Sequence, residues 1–406
     1  MSRVDELIAE LCPDGVEFRT LGDVGEFIRG NGLQKTQLTN VGFPAVHYGQ
    51  IHTHYGVWAR ETKSFTDVRL AEKLRKAEHG DLLIATTSED DHSVAKATAW
   101  IGDGQVVVSG DAFIFRHKLD PKYVSYFFQS GEFRDQKQRF ISGAKVRRLS
   151  GSSLARIRIP VPPLEVQRQI VRILDQFTEL EAELEAELEA RRHQYQHYRS
   201  RLFIETDAPR ERLGDVGQFQ RGRRFTKKDV VPSGIPSIHY GEIYTHYGVA
   251  ADAAHSHVRE DLLEQLRFAQ PRDVVIAGVG ETVEDVGKAV AWMGTDPVAI
   301  HDDTFLYRSE LNPKYVSYFL QTDDFHLQKE RHVARAKIKR LSREGLAQIE
   351  IPVPSDREQD QIVGTLDAFD TLVSDLSIGL PAELAARRKQ YEHYRDRLLT
   401  FKERTS

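Results

Sequence analysis

Leu21-Gly22-Asp23-Val24-Gly25, His47-Tyr48-Gly49 and Thr53-His54-Tyr55-Gly56-Val57 are written a second time, without a gap, as Leu213-Gly214-Asp215-Val216-Gly217, His239-Tyr240-Gly241 and Thr245-His246-Tyr247-Gly248-Val249. The offset of 192 continues outward. Pro121-Lys122-Tyr123-Val124-Ser125-Tyr126-Phe127 matches Pro313-Lys314-Tyr315-Val316-Ser317-Tyr318-Phe319, Arg148-Leu149-Ser150 matches Arg340-Leu341-Ser342, and Ile159-Pro160-Val161-Pro162 matches Ile351-Pro352-Val353-Pro354. It becomes 196 at Arg191-Arg192, Tyr195 and Tyr198 against Arg387-Arg388, Tyr391 and Tyr394, so the second copy gains four residues between Asp367 and Arg387. A solenoid repeats every ~20 to 50 residues, so a period this long is a duplicated domain with its connector. Two equivalent binding surfaces on one chain are the first functional implication.

With 406 residues and 40% hydrophobic content, each half can bury a full core. No run is long and apolar enough for a membrane span, and Met1 to Glu10 carries charges where a signal peptide needs an apolar stretch, so a soluble, cytoplasmic protein is expected. The single Cys12 has no partner for a disulfide or a zinc site. A net charge of -5 excludes a uniformly basic coat, but the distribution is uneven. Arg139, Lys145, Arg147, Arg148, Arg156 and Arg158 fall together without an acid among them, and Lys329, Arg331, Arg335, Lys337, Lys339, Arg340 and Arg343 repeat the cluster with Glu330 and Glu344 interspersed. The acid collects in Glu179, Glu181, Glu183, Glu185, Glu187 and Glu189.

Short apolar runs at 81–85, 105–108 and 112–115, bounded by Gly or polar turns, predict strands. Asp120-Pro121 and Asn312-Pro313 each predict an N-cap followed by a first-turn proline. The alternation Ala155-Arg156-Ile157-Arg158-Ile159 predicts a strand with one buried and one cationic face. Beyond Pro163 the period becomes helical through Ile170, Leu174, Phe177, Leu180, Leu184, Leu188, Tyr195, Tyr198 and Leu202, and such a stripe needs a partner. Its match, Ile362 to Leu398, is the expected partner, with a kink or break at Gly379 and Pro381. The expected fold is mixed α/β. Residues 1–161 and 208–353 form two domains of strands and short helices, and residues 162–207 and 354–406 form two long antiparallel spacer helices related by pseudo-twofold symmetry.

The Leu-Gly-Asp-Val-Gly entry, His-Tyr-Gly, the Ile-Pro-Val-Pro exit, the helix starts Glu165-Val166-Gln167-Arg168-Gln169-Ile170 and Glu358-Gln359-Asp360-Gln361-Ile362, and the tetrapeptide run from Leu180 to Ala190 carry a resemblance. In this order and duplication the chain resembles the specificity (S) subunit of Type I restriction-modification systems, over nearly its whole length. The resemblance implies two target recognition domains, each reading one half of a bipartite asymmetric double-stranded DNA target. It also implies no catalysis and no cofactor of its own, DNA methyltransferase (M) subunits docked on the spacer helices, and a motor-nuclease (R) subunit as a further partner. A tetrapeptide more or less changes a helix by about 6 Å, enough to reset the distance between two DNA-reading domains by one or two base pairs.

Phosphates call for cations and loop amides, and bases for side chains in a groove. Arg29 and Lys35, and Arg221, Arg223, Arg224 and Lys227, lie on glycine-containing loops expected to be flexible. Lys145, Arg147 and Arg148, and Lys337, Lys339 and Arg340, form cation clusters before Leu-Ser in both copies. His47 and Tyr48, with His239 and Tyr240, could reach a phosphate or base edge beside glycine. Shared positions are expected to be scaffold or phosphate contacts. Divergent stretches, 58–76 against 250–267 and 86–94 against 278–286, are expected to read bases. The histidines at 47, 52, 54, 239 and 246 have no established zinc spacing, so no metal is expected. Residues 280–288 lack the glycine spacing of a phosphate loop. Two other readings are a coiled-coil adaptor for proteins and a metal hydrolase built on the repeated histidines.

Overall fold

Leu82–Ala85 is buried at all four positions, and the first sheet is built around it. A run apolar on both faces has to be central in a sheet covered on both sides. In the computed structural model, which describes residues 3–334, 337–374 and 379–404, this strand pairs antiparallel with Ala112–His117 on one side and Ala97–Trp100 on the other. Gly25–Arg29 and Trp58–Ala59 complete the five strands, the last in parallel. The second copy builds the same order from Gly217–Arg221, Thr304–Ser309, Val274–Ala277, Ala289–Trp292 and Ala250–Ala251. A second sheet, centred on Phe43–Val46 and Val106–Val108 or on Ile235–Ile238 and Val298–Ile300, packs beside each. The second copy adds the edge strand Val230–Val231 to it.

The Asp-Pro and Asn-Pro signals mark helix starts. Asp120 and Asn312 each accept two backbone N–H groups at the start of Pro121–Phe127 and Pro313–Phe319. These helices bury Tyr123, Tyr126 and Phe127, or Tyr315, Tyr318 and Phe319, and each tyrosine hydroxyl finds an acceptor. Tyr123 donates to Pro160 O and Tyr315 to Pro352 O, both at 3.0 Å, while Tyr126 and Tyr318 donate to Asp175 and Asp367 at 2.8 Å. The strand expected over Ala155 to Ile159 is shorter, Arg158–Pro160. Ala155 caps the preceding turn Gly151–Leu154, whose start is fixed by the Ser150 hydroxyl.

The helix Leu164–Ile204 runs unbroken through the Glu-rich tetrapeptides. Steps of four advance about 40° around a 3.6-residue helix, so one leucine stripe cannot stay on one face. Accordingly Leu188 is buried while Leu180 is 49% exposed. The C-terminal match is two helices, Asp356–Ser374 and Leu380–Leu399. Of the interruption expected around Gly379 and Pro381, residues 375–378 lie outside the described residues.

The chain divides into two compact units, and neither coincides with one repeat: residues 1–183 with 384–406, and residues 184–383. In the first, Phe177 stacks on Tyr394 (ring centroids 5.4 Å apart) and Glu181 pairs with Arg388 at 2.6 Å, an antiparallel register. In the second, Tyr195 and Tyr198 flank Phe369, and Thr206 donates to Glu358 at 2.9 Å, again antiparallel. The first unit closes with the chain end, where Val16 pairs in parallel with Glu403 and Arg158 meets Glu403 at 2.5 Å.

Candidate nucleic-acid interface

Each unit carries its cations on the edge strand Gly25–Arg29 or Gly217–Arg221 and on a short ladder beside it. At the end of the edge strand, Gly30 and Gly222 are packed tightly and donate their amides to Ala112 O at 2.9 Å and Thr304 O at 3.0 Å. A Cβ on either would sit 2.2 Å from Ser109 O or 2.1 Å from His301 O. Arg29 and Arg221, expected on flexible glycine-containing loops, are instead the last residues of these strands: close approach of two backbones demands glycine and fixes the arginines before it. Arg29 Nε and Arg221 Nε donate to the carbonyls of Gly110 (2.9 Å) and Asp302 (2.6 Å). A guanidinium has five N–H donors, so one such bond orients it without using the others, and Arg29 also lies 3.9 Å from the Asp111 carboxylate.

The stretches 86–94 and 143–148, separate in sequence, meet in space. Thr87 and Ser88 pair with Arg148 and Arg147, and Val279 and Gly280 pair with Arg340 and Lys339. Residue 86 or 278 joins this ladder to the arginine loop. Thr86 donates to Asp111 O and accepts from Leu149 N, as Gly278 donates to Asp303 O and accepts from Leu341 N. Arg147 is half-buried, bonded to Gly143 O (2.6 Å) and paired with Asp91 (2.8 Å), whereas Lys145 and Arg148 are exposed.

In the second unit a cleft of about 870 Å³ gathers Arg221, Arg223 and Arg340 from the expected set. It adds Arg267, the last residue of the divergent stretch expected to read bases, and Arg343, from the second basic cluster, balanced by Asp302, Asp303 and Glu344. Arg340 meets Asp303 at 3.3 Å, and Arg267 donates to Gln220 at 2.6 Å. Arg75 holds the matching place in the first unit, donating to Arg29 O at 2.5 Å, and its match to Arg267 at the 192 offset was the available signal. Arg224, Lys227, Lys337 and Lys339 do not line this cleft; Lys337 is exposed and Lys339 half-buried.

His47 and His239 are helix caps. Nδ1 accepts from Gly49 N at 3.3 Å or Gly241 N at 3.2 Å, and burial lowers both pKa values, holding the rings neutral near pH 7. Lys35 and Lys227 lie close enough to reinforce that lowering. Tyr48 and Tyr240 are half-buried against the core beside these rings, so much of their surface packs the fold. Among the described residues, none of the histidines considered for a hydrolase belongs to a group of three or more side chains able to hold a metal. Among the described residues, the grouping able to hold a metal is His301, Asp302 and Asp303, whose counterparts at offset 192 are Ser109, Gly110 and Asp111.

A family model described as Type I restriction modification DNA specificity domain matches residues 13–190 and again 210–386. A putative type I restriction enzyme specificity subunit of Haemophilus influenzae is 31% identical over 319 residues, 74% of this chain and 76% of that protein. The type I restriction enzyme EcoR124I/EcoR124II specificity subunit of Escherichia coli is 30% identical over 294 residues, 69% of this chain and 70% of its own. A chain from a solved type I R-M system complex superposes with a TM-score of 0.65 at 18% identity, covering 95% of this chain and 97% of that one.

Proposed function

This chain belongs to the Type I restriction modification DNA specificity family, and from that premise we propose that it is the non-catalytic DNA-recognition subunit of a restriction-modification complex. Residues 1–161 and 208–353 are its two target recognition domains, each reading one half of a bipartite target. The helices in 162–207 and 354–406 set the spacing and dock methyltransferase subunits, with a motor-nuclease subunit as a further partner and cytoplasmic DNA as the substrate. The adaptor reading does not account for the family match.

The observation that carries the proposal is the join between fixed arginines and a variable ladder. Arg29 and Arg75, or Arg221, Arg223 and Arg267, supply phosphate-binding donors. Directly beside them, the ladders at 87–88 and 279–280 lie in the stretches that differ between copies, as base readers for two unlike half-sites must. Lys35, Lys145, Arg148, Arg224, Lys227, Lys337, Lys339 and Arg340 extend the cationic surface. Arg147, His47, Tyr48, His239 and Tyr240 supply its half-buried floor.

Mapping of methylated bases in cells with and without this chain tests the reading. The expected result is one two-part sequence, modified in both halves and dependent on the chain. Unchanged methylation, together with no salt-dependent DNA binding by the chain and its methyltransferase subunits, would overturn it.

A further inference from the structure

Between the strands ending at Ala85 and beginning at Ala97, and again between Ala277 and Ala289, the chain makes a loop whose sequence differs between the copies but which rests on a lysine in both. Residues 86–94 read Thr-Thr-Ser-Glu-Asp-Asp-His-Ser-Val, and 278–286 read Gly-Val-Gly-Glu-Thr-Val-Glu-Asp-Val. Beneath each lies a buried lysine at the same offset, Lys137 at 4% exposure and Lys329 at 1%. Lys137 Nζ donates to His92 O and Val94 O, both at 2.7 Å. Lys329 Nζ donates to Glu284 O at 3.0 Å and Val286 O at 2.7 Å. The next residue in each loop turns through positive φ, Ala95 at 65° and Gly287 at 92°.

An ammonium taken out of water is costly, and the charges of Asp90 and Asp91 near Lys137, or of Glu284, Asp285 and Glu330 near Lys329, offset only part of that cost. A methionine would fill the same volume without that cost, so packing alone does not account for the lysine in both copies. What the ammonium adds is the fixed position of two carbonyls two residues apart. Burial lowers both pKa values to about 8, the physical mark of that cost. A second hold differs between copies: a ring nitrogen of His52 bonds to Thr87 O at 2.9 Å, and the Tyr244 hydroxyl donates to Val279 O.

We propose that Lys137 and Lys329 are positioning residues for sequence reading, each clamping the loop that discriminates bases in its own half-site. This rests on the DNA-recognition role proposed above. A shared clamp under unlike loops lets the loop sequence change while its presentation stays constant.

The test uses the full chain assembled with its methyltransferase subunits and a substrate pool randomised in one half-site at a time. Lys137→Met is expected to lose about tenfold of its discrimination in the half-site of the first domain, with the other half-site and sequence-independent affinity unchanged. Lys329→Met should do the mirror image. Lys137→Gln, whose shorter amide reaches less of the loop, should give a smaller loss on the same side and serves if the methionine variant does not fold. Equal loss in both half-sites, unchanged discrimination in a folded variant, or failure of both variants to fold would overturn the proposal. A wild-type complex that marks no two-part site would instead overturn the DNA-recognition role itself.

Discussion

Arg267, proposed above as a phosphate-binding residue, is one whose proximity to Arg221 no sequence pattern gives away. It stands at the end of a stretch that diverges between copies, far from Arg221, and only the sheet brings both to one cleft. Arg75, its counterpart, is bonded to the carbonyl of Arg29. Replacing Arg267 with alanine should weaken DNA binding by a similar factor on every sequence and reduce the slope of log affinity against log salt by about 0.9, the signature of one phosphate contact. Titrations at several salt concentrations on specific and unrelated DNA check this; a loss confined to the specific sequence would mean that Arg267 reads a base. The cations before Leu149 and Leu341 stood out because both copies repeat them, but their pairing with residues 87–88 and 279–280 was not legible, since those stretches differ between the copies. The cap role of His47 and His239 was not, because a histidine accepting an N–H two residues on leaves no mark in composition.

At the scale of elements, the Gln of each helix-start motif is a joint. Gln167 is buried, accepts Asp120 N–H at 2.9 Å and donates to Pro162 O at 2.7 Å; Gln359 does the same with Asn312 and Pro354. It thus ties the long helix to the cap of the aromatic-rich helix. Below it, Asp175 receives Lys122 at 2.6 Å and the Tyr126 hydroxyl. Gln167→Leu keeps the volume but strands a buried N–H and a carbonyl, so denaturant melts should show a loss of about 1–3 kcal/mol, and Gln359→Leu the same. The periodicity located the helices, and the repeated Gln marked their starts. The purpose of that residue was not legible, because its partner lies 47 positions upstream in both copies.

For the whole molecule, desolvated histidines contribute to the response to acid. Desolvation lowers His117 and His326 to about 4, and also lowers His47, His52, His239 and His301. From their unfolded value of 6.5 downward, the unfolded chain takes up protons that the folded chain refuses, so stability falls with pH until the folded values are passed. Thermal melts at pH 7 and pH 5 should show a lower transition at pH 5; an unchanged transition would sink this account. Two units were legible from the duplication, yet their composition was not, since helix periodicity says nothing about which distant segment supplies the partner. The first unit is completed by residues 384–404. During synthesis, therefore, the unit begun first is finished second: residues 184–383 form an uninterrupted stretch able to close as soon as it leaves the ribosome, while the amino-terminal unit waits for residues 384–404. A chain stopped at Glu383 should then show protease sensitivity confined to residues 1–183, and a frameshift beyond residue 383 would leave the amino-terminal unit incomplete although its own segment is intact.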